Sequence, residues 1–103
     1  MTLGDRRLQQ EILGLFDQQI GLLIAGMNDR DAATLGMLAH TLKGSARSIG
    51  ACDLVRAAEA VEASLACGEG LEAAIAAVEA AAARVRESIS QMRQNEADRV
   101  AAL

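Results

Sequence analysis

Residues 71–92 read LEAAIAAVEAAAARVRESISQM, and this stretch decides the fold class of the chain. Its apolar seam recurs in alternating steps of four and three residues, at Leu71, Ile75, Val78, Ala82, Val85, Ile89 and Met92. That spacing is typical of a long helix packed in a bundle. The alanine-rich centre, residues 73–83, continues the seam, so we interpret its small side chains as allowing neighbouring helices to approach closely.

Three further helical segments precede this one. They are predicted from about Asp5 to Met27, from about Asp31 to Ile49 and from near Asp53 to Ala66, and the fourth runs from Leu71 into the 90s. The connections are short: Asp29 or Asp31 is the N-cap in the turn at residues 28–31, Gly50 stops the second helix, and residues 68–70 close the third. Short turns between long helices imply antiparallel neighbours. The prediction is an all-α, antiparallel up-and-down four-helix bundle.

The composition agrees with an all-helical chain. Proline is absent and Phe16 is the only aromatic residue, whereas strands favour β-branched and aromatic side chains. At 103 residues we expect a single domain over residues 1–103, with its core at about residues 5–94. Beyond Gln94 the apolar pattern weakens, and residues 95–103 are expected either to fray or to extend as a free helical end.

Charge and hydropathy exclude several classes of function. The net charge of −4, without a basic cluster, argues against nucleic-acid binding. The longest apolar run, residues 20–27, is too short to cross a bilayer, and the start of the chain lacks the unbroken apolar core of a signal peptide. We therefore expect no membrane association and a cytoplasmic location.

The two cysteines do not suggest a disulfide or a metal site. Cys52 and Cys67 lie on one predicted helix, where a rise of 1.5 Å per residue separates them by about 22 Å. We interpret them as small unpaired thiols that pack between helices. With one histidine and no Cys-x-x-Cys motif, the sequence predicts no metal site and no cofactor.

The first helix carries more apolar surface than one core face needs. Its core set is predicted to be Leu13, Phe16, Ile20, Leu23, Ile24 and Met27. That set leaves Ile12, Leu15 and Leu22 on another side of the helix, near Gln18 and Gln19. Two interpretations remain open: the helix is buried on two sides, or these residues form an exposed apolar patch for a partner protein.

The only histidine, His40, lies on the wrong face of its helix to belong to the core. The apolar stripe of this helix is Leu35, Leu38, Ala39, Leu42, Ala46 and Ile49. The neighbours of His40 on the opposite face are Gly36, Lys43, Gly44 and Arg47. Each of the two glycines costs about 1 kcal/mol against alanine in a helix interior, so we interpret them as clearing access to the imidazole. Although a lone surface histidine is often just a polar residue, this one has a ring nitrogen available as a nucleophile, and Lys43 could stabilise a phosphoryl group beside it.

The residues around His40 resemble a known signature. The stretch His40-Thr41-Leu42-Lys43-Gly44-Ser45, followed by Ile49-Gly50-Ala51, is similar to that of the histidine-containing phosphotransfer (Hpt) domains of two-component relays. The resemblance spans most of the chain and includes Leu13-x-x-Phe16, the turn aspartates and the run from Leu54 to Val61-Glu62. It implies that His40 accepts a phosphoryl group on Nε2, that Lys43 neutralises its charge and that Gly44 leaves room for the partner. It also implies that Glu62 orients the ring through its other nitrogen, whereas on its own Glu62 could be a solvated helix carboxylate.

The resemblance further implies the partners. They would be response-regulator receiver domains, and a sensor or hybrid histidine kinase, with the aspartate and Mg²⁺ supplied by the partner and the protein acting as a monomer. Gly36, Gly44, Arg47, Ile12, Leu15 and Leu22 would contact them. The chain has no phosphate-binding glycine loop, so we expect no kinase activity of its own. Two alternatives stay open: an adaptor bundle that binds a receiver or kinase without chemistry, and a fragment of a larger hybrid kinase.

The chain departs from the family in two ways. Its N-terminal part is short, so an extra leading helix carried by many members is missing or merged with the first helix. The third helix is rich in alanine, which leaves few side chains near His40 that could indicate a particular receiver.

Overall fold

The computed structural model describes residues 3–28 and 31–102, with side chains described from Arg7 onward. These residues form four helices, α1 (Leu3–Gly26), α2 (Ala32–Ser48), α3 (Cys52–Cys67) and α4 (Leu71–Ala101), and no strand occurs among them. The helix boundaries lie close to the predicted ones. Each helix packs against its neighbour in the chain, and α4 closes the ring by packing against α1. The predicted all-α four-helix bundle is confirmed.

The core consists of aliphatic side chains interleaved with alanines. Its buried residues are Ile20, Met27, Leu35, Ala39, Leu42, Ala46, Leu54, Ala57, Ala58, Val61, Ala74, Ile75, Val78, Ala81, Ala82 and Ile89. Alanines come from three of the four helices and face the core beside larger residues, which agrees with the expected close approach of helices. The predicted apolar stripes of α2 and α4 therefore face inward, apart from the last residue of the α4 seam.

That last residue, Met92, is half-exposed rather than buried, so its assignment to the seam was wrong. The reason is that α4 is nearly twice as long as α3 and runs past the turn that ends α2. Met92 lies beside that turn and lines an open surface cavity with Ile49 and Cys52.

Beyond Met92, α4 continues as a helix to Ala101, with most of its side chains exposed. Of the two states expected for the tail, residues 95–101 adopt the helical one.

The caps of α2 fix the position of the helix that carries His40. At its start, the Asp31 carboxylate accepts hydrogen bonds from the Thr34 backbone N–H at 3.1 Å and from the Thr34 hydroxyl at 3.0 Å. The other predicted cap, Asp29, lies outside the described residues. At its end, Gly50 adopts a φ of 72°, and the Ala51 N–H donates to the Ala46 carbonyl at 2.9 Å. This left-handed cap turns the chain tightly, so that α3 returns alongside α2.

Arginines of α4 cover one side of α1. The Arg86 Nε donates to Asp17 Oδ1 at 2.9 Å, and its guanidinium lies over Gly21, where an added Cβ would meet it at 3.0 Å. One heptad earlier in α1, the Arg93 guanidinium lies over Gly14 in the same way, at 3.2 Å. The packing of these arginine side chains on α1 therefore explains why both positions are glycine. The exposed apolar residues of α1 do not lie beneath these arginines.

None of the described helices is both long enough and apolar enough to span a membrane.

Candidate functional site

His40 lies in the middle of α2 with its side chain 76% exposed. The residue before it, Ala39, faces the core and is fully buried. Leu42, two residues after His40, is also fully buried. Because the helical period places these two residues on the inward face of α2, it places His40 on the outward face. The predicted exposure of the imidazole is confirmed.

A carboxylate from α3 reaches both His40 and Lys43. Glu62 Oε2 lies 3.7 Å from His40 Nδ1, and Glu62 Oε1 lies 2.7 Å from Lys43 Nζ. The shorter contact is a charge-assisted hydrogen bond, whereas the longer one exceeds hydrogen-bond length. The carboxylate faces Nδ1, which favours the tautomer with its proton on that nitrogen and leaves the Nε2 lone pair free. The structure thus brings together the three residues that the sequence singled out for chemistry.

Lys43 is less accessible than the sequence suggested. Its side chain was expected to be exposed beside His40, but it is only 18% exposed, so that expectation was wrong. The reason is tertiary: Lys43 lies on the α3 side of α2, and its ammonium is held by Glu62. In this state the lysine neutralises a carboxylate of the chain itself.

The same contact controls the charge of Glu62. The hydrogen bond from Lys43 lowers the pKa of Glu62 below its ordinary value of 4.5, against a smaller opposing effect of desolvation, and the charges of Lys43 and His40 lower the pKa further. Glu62 is therefore ionised at any pH at which a cell operates. A constant negative charge faces Nδ1 of the imidazole.

The lowered pKa of Glu62 gives the fold a defined pH dependence. Since the folded value lies below the unfolded one, the contribution of Glu62 to stability is complete above about pH 4.5 and is lost as the pH falls through the folded value. We expect the urea midpoint of the wild-type protein to exceed that of Glu62→Gln most clearly above this pH, and the gap to close in acid. Glu79→Gln, at an exposed position of α4, controls for the exchange of a carboxylate for an amide. A gap that widens in acid would contradict the Lys43 contact.

The two glycines near His40 differ in their surroundings. A Cβ added at Gly44 would meet nothing within 4 Å, so no contact inside the chain requires a glycine there. A Cβ at Gly36 would touch Leu65 of α3 at 3.8 Å, which is ordinary van der Waals contact. Arg47 is exposed in the last turn of α2. The open space at Gly44 is the feature that fits clearance for an approaching molecule.

An exposed apolar face lies on α1 beside α2. Of the two interpretations left open for Ile12, Leu15 and Leu22, exposure is observed, and Leu22 is 72% exposed. Gly26 shows where this face points, because its Cβ position lies 3.1 Å from Leu38 of α2, and Leu22 lies one turn earlier on the same side of α1. The face is therefore on the α2 side of α1, away from the arginines of α4.

Sequence reasoning missed two members of this exposed apolar surface. Leu8 extends the face toward the start of α1, and Met37 lies on α2 three residues before His40. Met37 is 63% exposed and lies between His40 and the α1 side of α2, so it links the imidazole to the apolar face. Its position outside the apolar stripe of α2 was the signal that could have revealed it. We call Leu8, Ile12, Leu15, Leu22 and Met37 the apolar face.

Neither the cysteines nor the acidic side chains that the structure describes form a metal site. Cys52 and Cys67 are unpaired, as predicted, but both are exposed at the two ends of α3 and do not pack between helices. They fall outside the buried stripe of α3, which explains the difference. Among the residues that the structure describes, no three His, Cys, Asp or Glu side chains are grouped so that they could hold a metal ion.

Comparison with known proteins gives one finding. The family model described as "Hpt domain" matches residues 7–95, which include all of α2 and α3 and most of α1 and α4. Searches of curated proteins and of solved structures returned no match to this chain.

Proposed function

This chain belongs to the Hpt domain family, the histidine phosphotransfer modules of two-component systems, and on that premise we propose that His40 is its phosphoryl-carrying residue. The observation that carries the proposal is the exposed imidazole of His40 with the ionised Glu62 carboxylate beside Nδ1. This pairing leaves Nε2 as the nucleophile on the open side of the helix. Within the scheme the protein relays phosphoryl groups to or from the aspartate of a receiver domain.

The transfer step follows from the chemistry of the two side chains. The Nε2 lone pair attacks the phosphorus of an aspartyl phosphate on the receiver, the bond between phosphorus and the acyl oxygen breaks, and the receiver's carboxylate leaves. The ring keeps its proton on Nδ1 and becomes positively charged, and the carboxylate of Glu62 stabilises that charge. The reverse reaction returns the phosphoryl group to the aspartate. Because such transfers depend on positioning and charge, the partner supplies the aspartate and Mg²⁺, while this chain supplies the oriented imidazole.

Docking is the second part of the proposal. The apolar face gives a receiver, or a sensor or hybrid kinase, an uncharged surface that begins on α1 and ends beside His40. Gly36 and Gly44 keep side chains out of the approach, and Arg47 offers a cation at its edge. A monomer presents all of these groups, and we propose that the protein works as a cytoplasmic monomer.

A phosphotransfer profile tests the proposal. Receiver domains of the source organism are phosphorylated, mixed with the protein, and sampled at short times for acid-labile phosphate on this chain. We expect fast transfer with one or two receivers and slow transfer with the rest, because docking selects the partner. Absence of transfer with every receiver and every histidine kinase of the organism would contradict the proposed relay.

The docking surface is tested in the same assay with Leu22→Gln. This change places a polar group at the most exposed residue of the apolar face, so transfer from the selected receiver is expected to slow, with a higher receiver concentration needed for half-maximal rate. Val100→Gln is the matched control, since Val100 is also an exposed apolar residue but lies near the end of α4. Equal transfer by the two variants would show that the apolar face does not contact the receiver.

A further inference from the structure

The Lys43–Glu62 ion pair lies beside His40, where both residues would interact with a phosphorylated imidazole. The distance from Lys43 Nζ to Glu62 Oε1 is 2.7 Å, and the distance from Glu62 Oε2 to His40 Nδ1 is 3.7 Å. Both side chains are largely covered, with 18% of Lys43 and 31% of Glu62 exposed. The pair is thus formed before any phosphoryl group arrives, and its carboxylate is not yet hydrogen-bonded to the ring.

Phosphorylation creates one new charge of each sign at this site. When the neutral imidazole attacks through Nε2, the phosphoryl oxygens bring negative charge to one side of the ring. The ring itself, with its proton retained on Nδ1, becomes a cation on the other side. The negative group attracts Lys43 and the positive ring attracts Glu62, so each member of the ion pair gains a new partner of opposite charge.

We propose that the Lys43–Glu62 ion pair opens when His40 is phosphorylated, Lys43 turning to the phosphoryl oxygens and Glu62 closing on the Nδ1–H of the ring. The geometry permits the exchange because Lys43 is three residues from His40 on α2, at a spacing that places their side chains side by side. Glu62 has to close a gap of less than 1 Å to reach hydrogen-bond length from its present 3.7 Å. This proposal rests on His40 being the phosphorylated residue, as proposed above.

The exchange would make Glu62 a positioning residue with two roles. In the unphosphorylated protein it holds the flexible ammonium of Lys43 within reach of His40. In the phosphorylated protein it stabilises the protonated ring, which is the form with the better leaving group for onward transfer. Arg47 is the competing cation, since it lies on the same face of α2 two turns from His40. If Arg47 took the phosphoryl group, Lys43 would remain with Glu62.

A double-mutant cycle in two states tests the exchange. Wild type, Lys43→Met, Glu62→Gln and the double variant are unfolded in urea at neutral rather than alkaline pH, so that the phosphorylated ring can keep its Nδ1 proton, and within the lifetime of the phosphohistidine. Each is measured before and after treatment with phosphoramidate, which transfers its phosphoryl group to an imidazole nitrogen and releases ammonia. Before phosphorylation, the midpoint shift of the double variant should be smaller than the sum of the single shifts, because the pair interacts directly. After phosphorylation, most of this non-additivity should disappear.

An unrelated ion pair of the same chain provides the control. Arg86 and Asp17 form a 2.9 Å contact between α4 and α1, so the cycle of Arg86→Met and Asp17→Asn should give the same coupling in both states. Coupling between Lys43 and Glu62 that persists unchanged after phosphorylation would overturn the exchange. A chain that accepts phosphate from phosphoramidate but from no receiver or kinase would contradict the proposed relay alone. A His40 that is modified neither by phosphoramidate nor by any phosphorylated receiver or histidine kinase would overturn both.

The lifetime of the phosphorylated protein is a readout that a merely structural role of Glu62 would not change. A phosphoimidazole with a proton on Nδ1 loses its phosphoryl group faster than the unprotonated form, because neutral imidazole leaves more readily than its anion. Glu62→Gln removes the charge that favours the protonated ring, so we expect a severalfold longer half-life of phospho-His40 at the same pH. An unchanged or shorter half-life would contradict contact between Glu62 and the phosphorylated ring.

Discussion

His40→Gln should reduce phosphoryl transfer from the selected receiver by roughly 10³-fold or more, because the substitution removes the attacking atom. The amide of glutamine has polar atoms in nearly the same place, but its nitrogen carries no available lone pair. Acid-labile phosphate on the chain, followed over time after mixing with the phosphorylated receiver, measures the effect. Transfer at the wild-type rate would remove His40 from the mechanism.

The same variant should fold as well as the wild type. The His40 side chain is 76% exposed, and its Nδ1 lies 3.7 Å from Glu62 Oε2, beyond hydrogen-bond length, so the free energy of unfolding should change by less than about 0.5 kcal/mol. Glu79→Gln, which introduces the same side chain on α4, controls for the assay. Unchanged partner binding together with unchanged signalling output in His40→Gln would favour an adaptor bundle without chemistry.

The features that the sequence predicted well depend on local rules. The ends of α2 could be placed because a capping aspartate and a glycine with positive φ act on adjacent backbone groups, as Asp31 and Gly50 do here. The exposure of His40 followed from helical period alone, since Ala39 and Leu42 had to face inward. These inferences need only the order of residues along one helix.

The features that the sequence missed depend on how the helices meet. Periodicity placed Lys43 on the face of His40, but it could not show that α3 brings Glu62 within 2.7 Å of the ammonium. Met92 fitted the apolar seam of α4, yet it is half-exposed because α4 extends past the shorter α2 and α3. The carboxylate partner of Lys43 and the open end of the bundle both arise from relations between helices.

Gly44→Met should stabilise the bundle and impair transfer. Methionine is a better helix former than glycine by about 0.5–1 kcal/mol in a helix interior, and a Cβ at this position would meet no atom of another helix within 4 Å. The thermal midpoint should therefore rise, by an amount on the order of 5 °C per kcal/mol for a domain of this size. Transfer from the receiver should nevertheless fall by about 10-fold or more, because the added side chain occupies the approach to the imidazole one turn away.

The role of Gly44 is identified by the opposite signs of the two effects, a rise in stability and a fall in the rate of transfer. If its glycine served the fold, as Gly14 and Gly21 do beneath the arginines of α4, any side chain would lower stability together with transfer. Ala80→Met, at an exposed position on α4, controls for an added methionine at a distance from His40 and should leave transfer unchanged. In a series from glycine through alanine to methionine, stability should rise mainly at the first step, because that step removes most of the backbone entropy of glycine. Transfer should instead fall with side-chain size, because the clash is with the receiver; a series in which transfer follows stability would contradict the clearance role.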